Sequence, residues 1–192
     1  MDAILQFDTA VFHFINGRLT AGWLDALMPF VTEKFNFSGA IIIAALSILI
    51  FGKRRDRIGL VILIAVVLSA DFITHQLKGL IGRIRPCNAL ENVRFVMACT
   101  KSFALPSGHA TNIFGAMVFL SFRYKRFTPI FIALAFLVAY SRVYVGVHYP
   151  LDVIAGAAIG TTVAIAWTWG EDRLTALYNK RRNAPKEIID EE

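Results

Sequence analysis

No proline-, glycine- or serine-rich stretch and no low-complexity linker interrupts this 192-residue sequence, so it is read as one domain over residues 1–192. It does not open like a secretory signal, which needs a basic start followed at once by an apolar stretch. "MDAILQFDTAVFHFINGRL" begins acidic and is broken by Asp8, His13 and Asn16, so the N-terminus is expected to be retained. No run alternates polar and apolar residues between turn signals, which excludes a membrane barrel. No carboxylate cluster suits Mg²⁺, and the two cysteines, Cys87 and Cys99, lack zinc-ligand spacing with the histidines. No metal site is expected.

Apolar residues are abundant. They make up 56% of the chain, with a mean hydropathy of +0.57, where a soluble domain holds about 45–50%. The sequence therefore predicts an all-α, polytopic membrane bundle. Apolar stretches at 36–51, 58–77, 107–122, 127–146 and 151–169 give five spans, each near the requirement of about 20 residues. Two earlier segments, "AILQFDTAVFHFI" and "WLDALMPFVTEKF", read as interfacial helices, one of which could be a sixth, short span. The net charge of +6 falls in short clusters between apolar runs, which favours membrane topology over a nucleic-acid partner.

Those clusters orient the chain. "GKRRDR" at 52–57, "RYKR" at 123–126 and a tail over 171–192 with Arg173, Lys180, Arg181, Arg182 and Lys186 share one side, expected to be cytoplasmic. The other side carries Lys78, Arg83, Arg85, "PSGH" and "SRVYVGVHYPLD". Cys87 and Cys99 lie in the same outer loop. They would bridge in an oxidising compartment, or remain two thiols in a reduced one. Asp71, His75 and Lys78 share a helical face, on which Asp71 reads as a brace paired with a basic group or a backbone donor. Arg83, Arg94 and Lys101 read as headgroup contacts or a solvated loop, and Tyr144 and Tyr149 as interface aromatics. His13 has no assigned role.

Three outer segments can each bind an anion. "KGLIGRIRP" supplies Lys78 and Arg85, unless these only snorkel to the interface. "LPSGHAT" predicts a helix entry with Ser107 as N-cap, free N–H groups that suit a phosphate, and His109 in the first turn; the plainer reading is a capped helix with an interfacial histidine. In "SRVYVGVHYPLD", Pro150 suits the first position of a helix, with His148 before it and Asp152 in the first turn. The carboxylate can then accept from one ring nitrogen and leave the other as a nucleophile. Arg142 with Lys78 and Arg85 exceeds what one aspartate neutralises, and a phosphate would supply the missing charge.

In this order, Lys78-x6-Arg85-Pro86, Pro106-Ser107-Gly108-His109 and Ser141-Arg142-x5-His148-x3-Asp152 resemble the three-part signature of the type 2 phosphatidic acid phosphatase superfamily, the membrane lipid phosphatases related to vanadium haloperoxidases. The signature covers residues 78–152. The resemblance implies a phosphohistidine on His148, oriented by Asp152, with His109 as general acid. It further implies a cradle of Lys78, Arg85, Arg142, Ser107 and the Gly108 N–H, and a reaction that needs no metal or other cofactor.

The expected function is hydrolysis of a lipid phosphate monoester or diphosphate at the extracytoplasmic face of an inner membrane. Undecaprenyl diphosphate, phosphatidylglycerophosphate and lipid A 1-phosphate are the candidate substrates. The partners are this lipid and the bilayer, and the oligomeric state is open. A phosphotransferase using the same phosphohistidine is the alternative. An anion transporter fits poorly, because polar residues do not recur through the span interiors.

Overall fold

The computed structural model describes residues 2–33 and 35–182. All regular structure among them is helical: α1 (Asp2–His13), α2 (Gly22–Thr32), α3 (Phe35–Phe51), α4 (Arg54–Ile81), a single turn α5 (Pro86–Ala89), α6 (Gly108–Arg123), α7 (Thr128–Tyr144) and α8 (Pro150–Arg182). Local chemistry sets several boundaries. Gly82 adopts φ 66° after α4 and returns its N–H to the Lys78 carbonyl, a left-handed closure that glycine takes without a Cβ penalty. Pro150 opens α8, where its missing N–H costs nothing. α3 is apolar on every side and buries no residue of its own, as expected of a helix facing lipid.

α6 is the centre of the bundle, enclosed by α4, α7 and α8. Its seam with α8 depends on two glycines four residues apart, an arrangement that lets helix backbones approach closely. A Cβ on Gly156 would lie 2.5 Å from the Ser107 carbonyl oxygen, and one on Gly160 would lie 2.1 Å from that of Thr111. At the end of this seam where α6 and α8 begin, the Ser107 N–H donates to the Asp152 carbonyl at 2.9 Å. At the other end Arg123 of α6 forks onto Glu171 of α8 at 2.9 and 3.0 Å, and Tyr124 Oη donates to Asp56 of α4 at 2.8 Å. Replacing Gly160 with valine should therefore force α6 and α8 apart, cost about 1–3 kcal/mol, and lower both the melting temperature in detergent and the activity.

The spans differ in detail from the sequence expectation. By length and composition Arg54–Ala89, Lys125–Tyr144 and Pro150–Arg182 can cross a membrane, and α2 with α3 forms a bent pair that would make a fourth span. The expected third span is the 16-residue α6, about 24 Å long at 1.5 Å per residue and shorter than a hydrocarbon core of about 30 Å. The count of five to six is thus not reached on these measures. α8 runs unbroken to Arg182, so the segment read as a tail from 171 begins as helix; residues 183–192, including Lys186, lie outside the described residues.

The N-terminal helices do more than lie at an interface. α1 buries Asp8 and Phe12, and α2 buries Met28 and Thr32. Between them Asn16, fully buried, donates to the carbonyls of Tyr144 (2.8 Å) and Arg94 (3.0 Å) and accepts from the Arg94 N–H (2.9 Å). One amide thereby ties the N-terminal segment to the loop between α5 and α6 and to the end of α7.

Candidate active site

The three signature segments converge at one end of the bundle, made by the C-terminal ends of α4 and α7 and the N-terminal ends of α6 and α8. His148 sits in the tight connection between α7 and α8, where its N–H and that of Val147 donate to the Arg142 carbonyl. The residue is 1% exposed. Its Nδ1 lies 3.4 Å from Asp152 Oδ2, a charge contact longer than a good hydrogen bond, and its Nε2 lies 3.2 Å from Arg85 Nη1. An arginine has only donors to offer, so Nε2 faces it with its lone pair and the ring proton belongs on Nδ1, toward Asp152. Burial first, then the charges of Arg85, Arg142, Lys78 and His109, push the His148 imidazole well below its usual protonation range. The ring is neutral at neutral pH.

Asp152 is buried and fully engaged. Oδ2 accepts the Tyr149 N–H at 2.8 Å and Oδ1 accepts Arg83 Nη1 at 2.7 Å. His109 lies in the first turn of α6, half-buried and close enough to His148 to affect its proton affinity.

The cations are held by backbone carbonyls and side-chain hydroxyls. Lys78 Nζ donates to the carbonyls of Phe103 (2.6 Å) and Ala104 (3.3 Å), so it is pinned to the loop that precedes α6 and does not snorkel to the interface. Arg85 donates through Nε to the Ser102 carbonyl (2.7 Å), through Nη2 to Ser102 Oγ (2.9 Å) and through Nη1 to the Val147 carbonyl (3.1 Å). Arg142, in the last turn of α7, donates Nη1 to Thr32 Oγ1 at 2.5 Å. Three buried side-chain atoms of the site have no hydrogen-bond partner: Arg142 Nε, Ser107 Oγ and His148 Nδ1, the last with only its charge contact to Asp152. Ser107 precedes α6 as its N-cap residue, without a side-chain capping bond, and Gly108, the first helical residue, has no intrahelical acceptor for its N–H. Cys87 and Cys99 form a disulfide that braces the loop beside Arg85.

Several expectations need correction. Tyr144 and Tyr149 are core residues, 0% and 5% exposed, and not interface aromatics. Tyr144 Oη donates to Asp25 at 2.5 Å, while Tyr149 packs on Phe12 and lies 4.0 Å beneath the Arg83 guanidinium. Arg94 pairs with Asp25, whereas Lys101 is exposed. Asp71 accepts from the side-chain amide of Asn112 at 3.1 Å, not from a basic group or the backbone. His13 packs edge-on against Phe12.

Arg83, read from the sequence as a headgroup contact or part of a solvated loop, is neither: its side chain is turned inward onto buried carboxylates. It bridges Asp152 and the buried Asp8 of α1, at 2.7 and 2.6 Å. Asp8, Thr32 and Ser102 lie outside the three-part pattern, yet each touches a residue inside it. The available signal was an aspartate within the apolar "LQFDTAVF", which a purely interfacial helix would not bury.

A membrane-spanning helical bundle that encloses a neutral histidine between a carboxylate and three cations is a membrane phosphatase. Residues 59–175 match the PAP2 superfamily, and the chain belongs to it. It is 32% identical over 172 residues to a lipid A 4'-phosphatase of Bacteroides thetaiotaomicron, covering 83% of this chain and 75% of that protein. It is 35% identical over 161 residues to an undecaprenyl-diphosphatase of Sulfolobus acidocaldarius, covering 83% and 76%. The crystal structure of LpxE from Aquifex aeolicus superposes with a TM-score of 0.71 at 28% identity, covering 83% of this chain and 93% of that one.

Proposed function

We propose that the protein hydrolyses a lipid phosphate monoester or diphosphate at the extracytoplasmic face through a phosphohistidine on His148. The observation that carries this reading is the pairing of a neutral, carboxylate-backed His148 with unpartnered buried donors, Arg142 Nε and Ser107 Oγ. Phosphate oxygens would satisfy both donors. Lys78, Arg85 and the Gly108 N–H complete the cradle, whose positive charge complements the equatorial oxygens in the transition state.

In the first step the Nε2 lone pair forms a bond to phosphorus as the bond to the leaving oxygen breaks. His109 gives that oxygen a proton. The ring becomes cationic and its Nδ1–H is stabilised by Asp152. Water activated by His109 then attacks phosphorus, releasing phosphate and restoring neutral His148. Arg85 must shift part of its contact from Nε2 to a phosphate oxygen when substrate binds, because Nη1 covers the attacking atom. Exposed Leu80 and Ile84 lie between Lys78 and Arg85 in the chain, and exposed Phe103 is joined to Lys78 through its carbonyl; these side chains offer the substrate's chains an apolar approach from the bilayer.

The outward orientation rests on two supports. A Cys87–Cys99 disulfide beside the site suits an oxidising compartment. The basic groups Arg54, Arg55, Arg57, Lys125 and Arg126 gather at the opposite helix ends, where the cytoplasm is expected.

Among undecaprenyl diphosphate, phosphatidylglycerophosphate and lipid A 1-phosphate, a purified-enzyme panel with phosphate release as readout should single out one preferred class. EDTA should leave that rate unchanged within about twofold, since the reaction is assigned wholly to side chains. Appearance of the phosphoryl group on a second lipid without free phosphate would make the protein a transferase.

A further inference from the structure

We propose that Asp8 of α1 is a positioning and charge-tuning residue of the phosphatase reaction, acting on Asp152 and His148 through the shared Arg83. The inference rests on His148 being the nucleophile.

Asp8, Arg83 and Asp152 form a continuous chain. Asp8 Oδ2 accepts Arg83 Nη2 at 2.6 Å, and Arg83 Nη1 reaches Asp152 Oδ1 at 2.7 Å. The other Asp8 oxygen accepts the Leu151 N–H at 2.8 Å, within the first turn of the helix that carries Asp152. Both carboxylate side chains are 0% exposed. Asp8 thus fixes Asp152 twice, once through the arginine and once through the α8 backbone.

Packing alone does not account for a second carboxylate here. Arg83 paired with Asp152 would already be a neutral pair, and burying an additional charge is costly. With Asp8 present the group behind His148 carries a net negative charge, facing Lys78, Arg85 and Arg142 in front. Arg83 is divided between two carboxylates and neutralises Asp152 only in part, so Asp152 keeps its charge toward the imidazole. That charge is needed as the Nε2–phosphorus bond forms, because the ring then turns cationic.

The test is a pH profile of kcat and kcat/KM for Asp8→Asn, Asp8→Glu, Arg83→Gln and His148→Ala, on full-length protein in detergent with a lipid phosphate that the wild type hydrolyses. The groups that face His148 are Lys78 from α4, Arg85 from the connection after it, His109 from α6, Arg142 from α7 and Asp152 from α8; none is altered in the first three variants. Asp8→Asn leaves Arg83 to Asp152 alone and takes one negative charge from behind His148, so His148 should hold a proton less readily. The acid limb should move to lower pH by about half a unit or more, and kcat should fall about tenfold. Asp8→Glu keeps the charge and should leave the limb in place. Arg83→Gln removes a cation and should move the limb the other way.

A smaller active fraction lowers kcat without moving a pH profile, which separates this role from a purely structural one. An unmoved limb in Arg83→Gln, or in folded Asp8→Asn, overturns the proposal, as does an equal shift in Asp8→Glu. Activity retained by His148→Ala would instead overturn the nucleophile assignment beneath it.

Discussion

Replacing His148 with alanine should reduce phosphate release by at least about 10⁴-fold, because loss of a covalent nucleophile removes the pathway and leaves only binding and electrostatic effects. The fold should survive. Asp152 keeps Arg83 and the Tyr149 N–H as partners, and the α7–α8 connection is also held by the Val145 N–H to the Ser141 carbonyl at 2.9 Å. The variant should therefore elute and melt as a folded protein in detergent while no acid-labile phosphoprotein can be trapped. Release at more than about a hundredth of the wild-type rate would move the nucleophile to another residue.

The second large effect is expected at Arg142. Its Nη1 is anchored on Thr32 and its Nε is the unpartnered donor, so the side chain is already in place before substrate arrives. Arg142→Gln should lower kcat/KM by about 10²–10³-fold, the usual consequence of removing one preorganised donor from a developing oxyanion. Arg142→Lys should recover only part of this, because an ammonium keeps the charge but cannot both bond Thr32 and present a second N–H in a fixed fork. Equal rates for the lysine variant and the wild type would show that Arg142 supplies charge alone.

The chemistry of the site was legible because its residues are costly where they stand. Cations and a histidine at the ends of apolar runs require anionic company, and their spacing sets His148 one helical turn from Asp152. Proline at 150 marked the start of α8 correctly, and Ser107 marked that of α6, since both preferences arise within a few residues. The boundaries of α3, α4 and α7 also fell close to expectation, because apolar length is a local property.

Other features were not local. Tyr144 and Tyr149 have the composition of interface residues, and only the packing of α1 and α2 over them makes them core. α6 has the apolar character of a span, but its length and its enclosure by α4, α7 and α8 depend on the glycines of α8 lying against it.

By itself the sequence determined the class, an α-helical membrane protein whose ordered motifs resemble those of a lipid phosphatase family, with Lys78, Arg85, Ser107, Gly108 and Arg142 expected to bind phosphate and His109, His148 and Asp152 expected to be catalytic. Hydropathy, capping and charge act over short stretches of chain, and the order of the motifs carried the family resemblance. Tertiary structure alone decided that Arg83 joins Asp8 to Asp152, that Thr32 holds Arg142 and that Ser102 holds Arg85. The first two contacts join residues far apart in the chain, 75 apart for Asp8 with Arg83 and 110 apart for Thr32 with Arg142. They exist because removal of buried charge from water must be compensated by whatever partner the folded chain brings within hydrogen-bonding reach.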